Sequence, residues 1–163
     1  MPSVYANATS AEDRFVTALH YRLSQITIAN GYRNTVKAVL DDPPVDPGEI
    51  TERPTIVMLF PDEKPFEEDS ASQAQMVHTV LYAHIEAASE PGAVVRSMKQ
   101  DIKSVLGNFP QMQGENGIET CQKVGAVTTK TFGDRQTSPR FCLKVEFDAY
   151  LGAFTNDPSV AIA

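Results

Sequence analysis

The chain predicts an α+β fold, a mostly antiparallel β-sheet with two amphipathic helices packed on one face. Three observations lead there. Two stretches carry apolar residues at helical spacing, several others carry them in alternation or in short continuous runs, and strands and helices do not alternate as a parallel βαβ sheet requires. At 163 residues and 42% hydrophobic composition the chain has material for one core. A single domain over residues 1–152 is therefore expected, with an N-terminal arm at 1–9 and a flexible tail at 153–163.

Residues 1–9 are small and polar without a period, as an arm would be. Ser10 and Asp13 have the spacing of a capping box, and Phe15, Leu19, Leu23 and Ile26 then recur on one helical stripe until Gly31. Residues 34–40, rich in β-branched types, read as a strand, and the prolines and aspartates of 41–54 make a stiff loop after it. Thr55-Ile56-Val57-Met58-Leu59-Phe60, bounded by Pro54 and Pro61, is a continuous apolar run suited to a strand buried in mid-sheet.

Between residues 61 and 73 the acids Asp62, Glu63, Glu67, Glu68 and Asp69 crowd around Pro65, which predicts a mobile loop or flap. Residues 75–86 alternate, with Val77, Leu81, Ala83 and Ile85 against His78, Tyr82, His84 and Glu86, so a long strand with one wetter face is expected. After Pro91 and Gly92 a second helical stripe follows, Val95, Met98, Ile102, Val105 and Leu106, ending at Gly107. Residues 108–117 are loop-like. Two long strands, 118–132 and 140–151, then form a hairpin through Gly133-Asp134; in the second, Phe141, Leu143, Val145, Phe147 and Leu151 alternate with polar residues. The tail beyond Gly152 is weakly patterned and is expected to be disordered or docked on a neighbour.

The formal net charge is -7, so the surface as a whole repels nucleic acid and anionic lipid. No apolar run approaches the roughly 20 residues of a membrane span, and the opening Met1-Pro2-Ser3-Val4-Tyr5 lacks the regions of a signal peptide. A protein made in the cytoplasm, with no membrane partner, is expected. Cys121 and Cys142 fall on the two arms of the predicted hairpin. A turn near Arg135 and Gln136 would set Cys121 close to Tyr150 and Cys142 close to Thr129, which keeps the two thiols apart and reduced.

No arrangement points to catalysis, a cofactor or a metal. His78 and His84 share a strand face with Glu86, but six residues of strand put the two rings about 20 Å apart, too far for one ion. His20 sits in the first helix with no nucleophile placed beside it, and the acids of 62–69 lack the spacing of a calcium loop. Arg96, Lys99 and Lys103 line the second helix opposite its apolar stripe, as a solvated face or as a surface for an acidic partner. Asp62, Glu63, Glu67, Glu68 and Asp69 together with Arg96, Lys99 and Lys103 are thus the candidate interaction residues. The arm, the acidic segment, the tail and the strand lengths favour a subunit completed by copies of itself.

The order of elements also resembles that of the bacteriophage tail terminator proteins. The residues that carry the resemblance are the opening helix with Leu19-His20-Tyr21-Arg22-Leu23 and Gly31, the strand Thr35-Val36-Lys37-Ala38-Val39, and Thr55-Ile56-Val57-Met58 after its proline. Tyr82-Ala83-His84-Ile85, the helix with Met98-Lys99-Gln100-Asp101-Ile102 and the closing strand from Phe141 to Tyr150 continue it, so that it spans residues 10–152. The resemblance implies a structural virion protein made in the host cytoplasm. It would form a hexameric ring that caps the tail tube, ends its polymerisation and joins it to the head connector or neck protein, with no catalytic residues. DNA would pass through without specific binding; six copies at -7 each place on the order of forty negative charges around the channel. Three other readings remain: a different neck or tail-completion protein, a small-molecule-binding domain with Tyr82, His84 and Glu86 lining a pocket between sheet and helix, and an adaptor whose acidic segment mimics nucleic acid.

Overall fold

The computed structural model describes residues 11–41, 50–68, 72–108, 121–133, 139–154 and 157–161. Helix α1 (Ala11–Ser24) is followed by strands β1 (Ala38–Leu40), β2 (Thr55–Glu68) and β3 (Ser72–Glu86), helix α2 (Pro91–Asn108), and strands β4 (Cys121–Val124), β5 (Thr128–Gly133), β6 (Arg140–Phe154) and β7 (Asp157–Ala161). The strands make one seven-stranded sheet in which the order β1-β2-β3-β6-β4 forms the main path, while β5 and β7 also pair with β6. Only the β1–β2 ladder is parallel; the others described are antiparallel. This is the α+β architecture that the periodicities imply.

The sheet holds together because one parity of each long strand is apolar. Val77, Leu81, Ala83 and Ile85 of β3 and Phe141, Leu143, Val145, Phe147, Ala149 and Leu151 of β6 all face a single core, joined by Ile56 and Met58 of β2. Onto that face α1 brings Phe15, Ala18, Leu19 and Leu23, and α2 brings Val95, Met98, Ile102, Val105 and Leu106. Phe15 meets Phe60 edge to face, with centroids 6.2 Å apart. The run 55–58 is fully buried, as expected of a strand flanked by β1 and β3.

Several boundaries differ from the sequence reading. The first helix stops at Ser24, and Gly31 instead caps a short 3-10 turn, Ile28–Asn30, in the left-handed conformation with φ 92°. Thr27 opens that turn by accepting the Asn30 amide, so a local side-chain bond takes over where the helical stripe ends. The strand expected over 34–40 shortens to Ala38–Leu40, because the amides of Val36 and Lys37 bond the carbonyls of Ile26 and Pro54 instead. The expected hairpin arm 118–132 is broken: Gly125–Val127 separates β4 from β5, where the Gly125 amide bonds the Asp148 carbonyl and a Cβ at Gly125 would lie 3.3 Å from that same oxygen.

The largest correction concerns the acidic segment. Residues 62–68, read as a mobile flap, continue β2 and pair with β3 as far as Glu68 opposite Gln73, with register shifts after Leu59 and Pro65. Backbone pairing to a long partner strand supplies the order that the charge density argued against; one register shift falls at Phe60 and Pro61 and the other at Phe66, while Pro65 stays paired with Gln75. The tail also carries regular structure, since Asp157–Ala161 pairs with the end of β6. The arm 1–9, Ser10 of the capping box, most of the proline-rich loop (42–49), Asp69, residues 109–120 and the turn after Gly133 lie outside the described residues.

Candidate functional site

With both helices on one side, the other face of the sheet is lined by residues of the opposite parity. It carries two distinct clusters along its length.

At the Thr55–His84 end is a pocket of about 460 Å³, lined by Arg53, Tyr82, His84, Phe132, Arg140 and Cys142 among others. Tyr82 and His84 come from β3, Arg140 and Cys142 from the start of β6, and Phe132 from the end of β5; register aligns Thr55 with His84, His84 with Cys142 and Cys142 with Phe132. Gly133 closes the floor: a Cβ there would lie 2.6 Å from a ring carbon of Phe141, at a φ of +153°. Phe132 is 43% exposed, an unusual amount for a phenylalanine, and Lys130 lies over its ring at 5.0 Å. The pocket is thus aromatic with a cationic rim.

Burial lowers the pKa of Arg53 first, and the neighbouring Arg140 guanidinium lowers it further, against the opposing pull of Glu86. His84 is likewise lowered, by burial first and then by Arg53. The Cys142 thiol is pushed up by burial, with Arg53 pulling the other way. Glu86 approaches Arg140 at 3.9 Å, so the carboxylate partly balances the two arginines. The sequence reading put Tyr82, His84 and Glu86 around a pocket between sheet and helix; this pocket instead opens on the face away from the helices, because residues of their parity point there, with Tyr82 and His84 in its wall and Glu86 outside its lining.

Midway along the same face His78 bridges two carboxylates, Nδ1 to Asp148 at 2.9 Å and Nε2 to Glu146 at 3.0 Å. Lys144 reaches Glu146 at 2.7 Å. The hydrogen bond to Asp148 is the main influence raising the His78 pKa, with Glu146 adding to it and desolvation opposing. Lys144 is the main influence holding the Glu146 carboxyl low. The sequence showed the alternation that lays these groups on one face, but not the register that sets them side by side.

Of the candidate interaction residues, Asp62, Glu63, Glu67 and Glu68 fall on β2, with Asp62 at the register position opposite His78. Arg96, Lys99 and Lys103 line one groove on α2 with Gln100 and Ser104. The fold keeps the acidic and basic sets on different elements. His20 Nε2 lies 3.0 Å from the Val39 carbonyl and ties α1 to β1. Cys121 pairs with Leu151 and Cys142 with Phe132, so the expected register of the first holds to one residue, and further single-residue shifts between Cys121 and Lys123 and across the Gly125 break leave the second off by three. The separation of the two cysteines along β6 stands. Among the described residues no group of three or more His, Cys, Asp or Glu side chains is arranged to hold a metal ion, and no helix is long and apolar enough to cross a membrane.

One buried charge went unnoticed in the sequence. Asp101 of α2, 4% exposed, accepts the amides of Arg33 at 3.2 Å and Asn34 at 2.9 Å, and the Asn34 side-chain amide at 2.8 Å. Asn34 Nδ2 also reaches Ser97 Oγ at 3.1 Å. This carboxylate staples the turn before β1 to α2. The only sequence signal was an acidic residue next to Ile102 on an otherwise apolar stripe.

No family model matches the chain, and no curated protein matches it. Among solved structures it is similar to a chain described as "Virion of native gene transfer agent (GTA) particle", with a TM-score of 0.45 and 9% identity over 91% of this chain and 100% of that one.

Proposed function

We propose that the chain is a structural virion subunit, a tail terminator that forms a hexameric ring on the end of a phage tail tube, stops its growth and presents the surface on which the head connector or neck protein docks. The observation that carries this reading is the build of the sheet. β2, β3 and β6 run for 14, 15 and 15 residues, each near 50 Å if fully extended, against the ~17–20 Å usual for a strand. Among the described residues, helices cover one face of the sheet and the β2–β3 ladder runs on to Glu68 and Gln73. Strands of that length are of direct use to a subunit that abuts its neighbours. The resemblance in element order and the net charge of -7, suited to a lumen through which DNA slides, support the same reading. The function is steric and interfacial, without catalysis or cofactor.

The test is genetic and visual. A phage unable to make this chain should assemble tails of widely scattered length with no heads joined, as seen by negative-stain electron microscopy. The purified chain should sediment at about six times its 17.8 kDa subunit mass. Tails of normal, uniform length in the mutant would refute termination; normal tails that fail to join heads would favour a neck or completion protein instead.

A further inference from the structure

The cationic pocket and the acidic end of β2 lie at opposite ends of the same pair of strands. Arg53 lies two residues before the start of β2, and His84 pairs with Thr55 at that strand's first residue. Glu67 and Glu68 pair with Ala74 and Gln73 near the other end. From His84 to Ala74 is ten residues of β3, roughly 33 Å at strand rise. A chain therefore cannot place its own Glu67 in its own pocket.

We propose that the pocket receives the segment Phe66-Glu67-Glu68 of a second copy of this chain, in a head-to-tail contact. The chemistry is complementary on both counts. The pocket offers aromatic surface from Tyr82 and Phe132 for an incoming phenyl ring, and a rim with Arg53 and Arg140 for carboxylates. The segment supplies one aromatic residue followed by two acids. Arg53 lies beside Arg140, and Glu86 reaches Arg140 at 3.9 Å; the acids of a second copy would add to that balance in a chain whose every copy carries them. A contact that joins one end of a subunit to the opposite end of the next is heterologous, the kind of contact from which a ring is built when its rotation closes. The inference deepens the ring reading and rests on it, by naming the contact that would build the ring.

The test is a charge swap. Arg53→Glu alone should weaken self-association by on the order of tenfold to a hundredfold, and so should the pair Glu67→Arg with Glu68→Arg. Mixed in equal amounts, the two variants should assemble again, since each then offers a pocket or a segment that fits the other; rescue also shows that both are folded. In parallel, a peptide of residues 61–72 should bind the wild-type chain, lose affinity as salt is raised, and fail to bind Arg53→Glu. Variants that assemble as the wild type does, with no peptide binding, overturn the contact while leaving the ring intact. A wild-type chain that stays monomeric sinks the ring, and the peptide measurement then decides the pocket's specificity by itself. A lowered melting temperature in Arg53→Glu with unchanged assembly would mean that Arg53 serves the fold of its own chain, and overturns the proposal.

Discussion

Replacing Asp101 by alanine removes the single acceptor shared by three donors, two of them backbone amides that cannot move elsewhere without reshaping the turn before β1. A hydrogen bond to a charged group is worth about 1.5–3 kcal/mol, but all three bonds are only part-buried and that from the Arg33 amide is the longest at 3.2 Å, so the full sum does not apply. The part-buried Asn34 amide and side chain account for most of the loss, and a net destabilisation of about 3 kcal/mol follows. For a chain of this size that lowers the melting temperature by roughly 6–12 °C. Asp101→Asn, which keeps one acceptor oxygen but turns an amide toward donors, should cost about half as much. Calorimetry or circular dichroism melts of the purified chain read the effect. A double-mutant cycle with Asn34→Ala should show coupling above about 0.5 kcal/mol. If Asp101→Ala melts within a degree or two of the wild type, or the cycle is additive, the staple does not hold the turn and the argument fails.

Other outcomes follow from the same structure. His78 has a raised pKa in the fold, so its contribution is fully present below the unfolded imidazole value near 6.5 and fades as pH rises through the higher folded value. His84, held low, has the opposite sign: its contribution is present above that value and fades as pH falls through the folded one. Wild-type chain should thus lose more stability between about pH 6 and 8 than His78→Gln does, and parallel melting curves would contradict the bridge. Gly133→Ala should destabilise by roughly 2–4 kcal/mol, because its Cβ collides with Phe141; an unchanged denaturation midpoint would show the pocket floor to be loosely packed. The Cys142 thiol, half-buried and raised in pKa, should alkylate well below the rate of an unfolded cysteine at pH 8, whereas equal rates would place it in open solvent.

How much of this was legible in the residues depends on the range of the interaction concerned. The stripe Val95, Met98, Ile102, Val105 and Leu106 and the alternation from Phe141 to Leu151 could be read directly, because helix and strand periods are local and each residue's face follows from its neighbours. The candidate site was only partly legible. Tyr82 and His84 were picked out as pocket residues, but Arg53, Arg140 and Phe132 were not, since nothing local links residues that register alone assembles.

Sequence by itself therefore determined the fold class, the core residues and the acidic balance, all of which depend on patterns within a dozen positions or on composition. Tertiary structure decided the rest. It turned the acidic stretch 62–68 from an expected flap into strand, because a partner strand satisfies its backbone whatever its charge. It made Asp101 a buried acceptor by bringing Arg33 and Asn34 to it across 68 and 67 positions. It also set Arg53 beside Arg140 at one end of the sheet and Glu67 and Glu68 at the other, a separation fixed by strand rise and register that no local window contains.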